Sequence, residues 1–77
     1  MYRRFISIIQ DLTEDGNYTI DNFADKYAVS KQTIRNDINS INQFLRSYNL
    51  SEIKIINGQI DKGESLIYGK KFINTYI

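Results

Sequence analysis

Val29-Ser30-Lys31-Gln32-Thr33-Ile34-Arg35-Asn36-Asp37, read VSKQTIRND, sets two apolar residues in a run of hydroxyls, amides and charges. Ser30 has the chemistry of a helix N-cap, because its hydroxyl can accept a hydrogen bond from an amide that the first turn leaves unpaired. Val29 before it and Ile34 after it stand at the offsets of a hydrophobic staple. Downstream, Ile34, Ile38, Ile41, Leu45 and Tyr48 recur every three or four residues. That spacing keeps one narrow apolar stripe in line and predicts a helix from Ser30 to about Asn49.

Upstream the same signature repeats. Thr19 can cap a helix, with Tyr18 and Phe23 as its staple pair and Ile20, Phe23, Ala24 and Tyr27 as its core face. This helix must stop near Ala28, because the next cap follows at once. Earlier still, Phe5, Ile8, Ile9 and Leu12 predict an amphipathic helix from about Tyr2 to Glu14, ended by Asp15-Gly16-Asn17. Beyond the long helix, Ile53-Lys54-Ile55-Ile56 and Ser65-Leu66-Ile67-Tyr68 are β-rich runs separated by turn residues at Asn57-Gly58 and at Asp61-Lys62-Gly63. A hairpin is expected, and either turn can form its tip. Three helices, the second and third joined by a tight turn, followed by a hairpin wing, make a mainly α member of the α+β class. That order is a winged helix-turn-helix.

With Ile34 at the centre of the buried face, 100° per residue gathers Gln32, Arg35, Asn36, Asn39, Gln43 and Arg46 on the opposite side. This face holds amides and guanidiniums and no carboxylate, whereas an ordinary solvated helix mixes acids with bases at four-residue spacing. Asp37, the acid of this helix, falls beside the apolar stripe, where it can meet a neighbouring helix. Arg can donate two parallel hydrogen bonds to guanine, and Asn or Gln can pair both ways with adenine. Gln32, Arg35, Asn36 and Asn39 are therefore the expected base readers. Ser30, Lys31, Thr33 and Arg46 are the expected phosphate ligands, three of them at a helix start whose amides and dipole favour an anion. Lys54 and Lys62 are wing candidates for the backbone or minor groove, although hairpin lysines commonly serve only to solvate an edge. Arg3-Arg4 and Lys70-Lys71 read as basic pairs for solubility.

The whole chain narrows the function further. Its 77 residues allow one domain with one small core. It has neither cysteine nor histidine, which removes thiolate and imidazole chemistry. No catalytic residue, metal or cofactor is expected, and an enzyme is disfavoured. Asp11, Thr13, Asp15 and Gly16 match the first places of a calcium loop, but its twelfth place is Asn22 where a bidentate glutamate is required. The net charge of +1 hides a polarity. Asp11 to Asp25 holds only acids among its charged residues, while Lys26 to Arg46 is basic except for Asp37. Any nucleic-acid contact must therefore come from a local patch. Arg3 and Arg4 precede an apolar run, but Gln10 and Asp11 end it before a signal sequence can form, and no stretch is long enough to span a membrane. A cytoplasmic protein is expected.

The run Phe23-Ala24, Tyr27-Ala28-Val29-Ser30, Thr33-Ile34, Asp37-Ile38 and Ile41-Asn42, with Leu45 after it, resembles the helix-turn-helix of bacterial winged-helix regulators. The likeness is to the Mga-like virulence regulators and to the regulators carrying phosphotransferase-system regulation domains (PRD). Ile60 and Leu66-Ile67-Tyr68-Gly69, leading into Phe72-Ile73, are similar to the wing strand and exit of those groups. The resemblance spans about Thr19 to Ile77. It implies a DNA-binding module, residues 1–69, at the start of a longer transcription factor, with residues 70–77 opening a helix toward downstream domains that sense phosphorylation and dimerise. Two positions depart from the pattern: Ala28 stands at the usual turn glycine, and Asn74 at the arginine of the exit. Double-stranded DNA is the expected partner, bound by a homodimer of the full-length protein. The alternative is a winged helix used for protein interaction or oligomerisation without DNA, with the segment from Phe72 to Ile77 as its contact.

Overall fold

A computed structural model describes residues 2–14 and 16–61 of the chain. In chain order the elements are α1 (Tyr2–Leu12), β1 (Tyr18–Thr19), α2 (Ile20–Tyr27), α3 (Lys31–Ser47), β2 (Lys54–Ile56) and β3 (Gln59–Asp61). The strands form one antiparallel sheet in the order β1-β3-β2. This is the expected winged helix-turn-helix, with one addition. The two-residue strand β1 joins the hairpin, pairing Tyr18 with Ile60 and Thr19 with Gln59.

The three apolar stripes meet in one core. Ile8, Ile9 and Leu12 of α1, Ile20 and Phe23 of α2, and Ile34, Ile38, Ile41 and Leu45 of α3 are buried, and Ile53 and Ile60 close the sheet side. Each side chain of this kind contributes about 1.5–3 kcal/mol on full burial, so the core rather than local propensity holds the helices.

Both N-caps form as their residues dictate. Thr19 accepts a hydrogen bond from the Asn22 amide at 3.0 Å, and Ser30 accepts one from the Thr33 amide at 3.1 Å. Tyr18 stacks on Phe23 with ring centroids 5.4 Å apart, completing the first staple. Val29 packs against the core from the second cap.

The helix ends are shorter than periodicity suggests. At the end of α1 the Thr13 amide is shared between the carbonyls of Ile9 and Gln10 and the Glu14 amide turns to that of Asp11, so the last turn tightens after Leu12. α3 stops at Ser47, two residues before Asn49. There Asn49 takes a left-handed conformation (φ 59°) and the Leu50 amide reaches back to the Leu45 carbonyl at 2.9 Å. This is the Schellman arrangement, with Leu50 half-buried against the core. α2 ends in the same way: Ala28 is left-handed (φ 55°, ψ 46°), and the Val29 amide bonds the Ala24 carbonyl at 3.1 Å.

A left-handed alanine sets its Cβ against the carbonyl that follows, so the turn between α2 and α3 is strained. Ala28→Gly is expected to stabilise the domain by about 1 kcal/mol, less what glycine adds to the freedom of the unfolded chain. For a domain of this size that raises the thermal midpoint by roughly 4 °C. A midpoint that falls would show the strain to be absorbed elsewhere.

The hairpin tip is Asn57-Gly58, not the Asp61-Lys62-Gly63 loop. Asn57 (φ 51°) and Gly58 (φ 79°) both have positive φ, as a two-residue type I′ turn requires, and Ile56 faces Gln59 across it. The strand returning from this turn is therefore Gln59–Asp61. The run Ser65 to Tyr68, Lys62, Lys70-Lys71 and the helix expected from residue 70 lie outside the described residues. The turn is also tied to the helices, because the Ile20 amide donates to the Gly58 carbonyl at 2.9 Å.

Two polar contacts lock α1 to its neighbours. Asp37, 4% exposed, receives Arg4 through Nε and, at 3.3 Å, through Nη2. Arg4 is thus a structural partner of α3, contrary to its reading as a solubility residue, and the hydrogen bond to Asp37 raises its already high pKa. Asp11 accepts from the Tyr27 hydroxyl and pairs with Lys26 at 2.9 Å. Burial, and then the bond to Asp11, hold the Tyr27 phenol well above its ordinary pKa, so it remains a donor.

Candidate nucleic-acid interface

Packing decides which face of α3 is free. α1 and α2 cover the side bearing Ile34, Ile38 and Ile41. Gln32, Arg35, Asn36 and Asn39 are all exposed on the other side, along with Gln43. They form a row of donors and acceptors along about two turns of helix. Within it, Gln32 Nε2 donates to Asn36 Oδ1 at 3.0 Å, which orients two amides one turn apart. No described carboxylate pairs with Arg35.

The flanking cations are arranged differently. Lys31 pairs with Asp21 at the start of α2 at 3.1 Å, and Arg46 pairs with Glu52 before the wing at 3.2 Å. Both pairs are exposed, so each is weak and screened by salt. The face has no acid of its own, as the sequence shows, but α2 and the segment leading to β2 bring two carboxylates to its edges. Local spacing cannot reveal that, since the partners lie on different elements.

Ser30 and Thr33 stand together at the helix start, their hydroxyl oxygens 2.9 Å apart. Ser30 is exposed and Thr33 half-buried. On the wing, Lys54 is exposed on β2 and faces Asp61 across the ladder. Ile56 is the most exposed large apolar side chain among the described residues, at 55%.

The residue that sequence reading missed is Asn42. It lies on the flank of α3 toward the sheet, buried, and its side-chain amide is bonded at both ends. Nδ2 donates to the Ile53 carbonyl at 2.9 Å, and Oδ1 accepts from the Ile53 amide at 2.7 Å. An asparagine near a buried stripe is a signal in itself, because a buried amide must find partners. Its partner is a backbone eleven residues away, which no local pattern names.

Among the described residues no His, Cys, Asp or Glu cluster could hold a metal ion, and no helix is long and apolar enough to cross a membrane.

Among curated proteins and among solved structures, nothing matches the chain. A family model does, that of the bacterial purine repressor, N-terminal, over residues 2–61. It runs from the first residue of α1 to the last of β3, so it takes in the whole described fold and more than half of the chain. The match supports the regulator domain that the helix-turn-helix residues resemble, without singling out the Mga-like or PRD groups. With the capped α2-α3 pair, the minimal wing and this match in agreement, the chain belongs to the family of the bacterial purine repressor N-terminal domain.

Proposed function

We propose that this chain is the DNA-binding domain of a bacterial transcriptional regulator, with α3 laid in the major groove of duplex DNA. The observation that carries the reading is the exposed row Gln32, Arg35, Asn36 and Asn39, free of carboxylates and backed by the buried Ile34, Ile38, Ile41 and Leu45. The family match supports it, since a repressor acts on genes. Arg35 reads guanine, and Asn36, Gln32 and Asn39 read base edges that offer both a donor and an acceptor. Ser30, Lys31, Thr33 and Arg46 hold phosphates and set the register. Lys54 touches the backbone beside the groove. The full protein acts in the cytoplasm as a dimer, because a single short helix reads too few base pairs and two half-sites supply the rest. Residues 1–69 form this domain, and those from 70 lead toward whatever domain senses the signal.

The test is selection of duplexes from a random pool, followed by titration of the best one across a range of salt concentrations. DNA binding through phosphates weakens steeply as salt rises, because condensed counterions are released. An oligomerisation module without DNA contacts recovers no sequence and shows no such slope. In the same titration, Asp21→Asn with Glu52→Gln is expected to tighten binding about tenfold at low salt, since it frees Lys31 and Arg46 and removes two charges that repel phosphate. Unchanged affinity would remove these two cations from the interface.

A further inference from the structure

A winged helix presents two contacts, a helix and a hairpin, and their spacing must be held by something. Here the sheet is tied to the helices on both edges. On the β1 side the ties are the β1-β3 ladder and the bond from Ile20 to the Gly58 carbonyl. On the β2 side the described buried tie is the amide of Asn42.

Asn42 sits about 20° around α3 from Arg35, two turns further on, so the same flank carries both the base reader and the tie. A side-chain amide offers the same donor and acceptor pair as a peptide group. Asn42 thus stands in for a neighbouring strand at Ile53, the residue just before β2, whose side chain is 4% exposed and whose backbone groups need partners there. The next residue is Lys54. The exposed Arg46-Glu52 pair adds little on the same edge, being open to solvent and salt.

We propose that Asn42 is a positioning residue for DNA binding, which pins the start of β2 to the recognition helix so that Lys54 and Arg35 meet a duplex at one fixed spacing. The inference rests on the DNA-binding reading above. Its physical content is preorganisation: a lysine held in place loses less freedom on reaching a phosphate than one on a loose hairpin.

The experiment is a double-mutant cycle on the full 77-residue chain, comparing the parent, Lys54→Ala, Asn42→Ala and the pair. Each protein is titrated with the best duplex from the random pool over a salt series, at a temperature where circular dichroism shows all four folded. Lys54→Ala is expected to reduce the salt slope of the parent by about 1, as loss of one phosphate contact does, and to change it by less than half as much in the Asn42→Ala background. A merely structural Asn42 would lower the folded fraction and leave the slope of the folded molecules alone. Equal effects of Lys54→Ala in both backgrounds, or none in the parent, overturn the proposal. Arg35→Ala on the same duplex separates the two ideas. If it abolishes discrimination while Lys54→Ala is silent, the helix reads DNA and only the positioning claim fails; if both are silent, the DNA-binding reading fails with it. Should Asn42→Ala not fold, Asn42→Asp, which keeps the acceptor for the Ile53 amide, takes its place in the cycle, and the same comparison of slopes upholds or overturns the proposal.

Discussion

Replacing Arg35 by alanine is expected to reduce discrimination between the best duplex and its single-base variants by about 1–3 kcal/mol, roughly 5- to 150-fold. Arg35 lies exposed in the middle of the row, and no described carboxylate holds it. Its fork is therefore available for both acceptors of a guanine. Arg35→Lys sharpens the test, because it keeps the charge and loses the two parallel donors. Competition titration should show Arg35→Lys recovering part of the overall affinity and little of the selectivity. Lys31→Ala should do the reverse, weakening all duplexes alike. If Arg35→Ala binds its best site as selectively as the parent, α3 is not the reading element.

Removing Arg4 is expected to unfold much of what holds α3 in place. Asp37 is buried at 4% exposure on the α1 side of α3, and Arg4 reaches it with two nitrogens. Arg4→Met leaves that carboxylate with neither water nor its cation, the circumstance in which a buried ion pair matters most. The thermal midpoint should fall by more than ~10 °C. The double variant Arg4→Met with Asp37→Leu should recover most of the loss, because removing both charges also removes the cost of burying them. Thermal melts followed by circular dichroism decide between these outcomes. A double variant no better than Arg4→Met would show that the pair fixes geometry that packing cannot replace.

What the sequence makes legible follows the range of the interactions. Ser30 and Thr19 declare their caps because a cap bonds an amide three residues away, and the staple residues stand at set offsets. The apolar stripes of α1, α2 and α3 repeat every turn and place the core. The orientation of Asp37 toward a neighbouring helix is also readable from its angle, but its partner is not, since Arg4 lies 33 residues earlier. The same holds for β1, whose two residues become a strand only because β3 lies alongside. The choice of hairpin tip turns on register, and both candidate turns are chemically sound. For the candidate site, the exposed row follows from periodicity alone. The carboxylates of Asp21 and Glu52 at its edges, and the anchoring of the hairpin by Asn42, depend on the tertiary fold and leave no local trace.

The two edge pairs, Lys31 with Asp21 and Arg46 with Glu52, bear on how such a domain would search a genome. General attraction to the polyanion speeds sliding, yet it also strands a regulator on the vast excess of irrelevant sites. On the DNA-binding reading, each of these weak pairs offsets only part of its cation's grip on any duplex, so the indiscriminate attraction is trimmed rather than lost. Residence time would then lean more on correct hydrogen bonds in the groove and, if the proposed dimer forms, on the raised effective concentration of the second half-site.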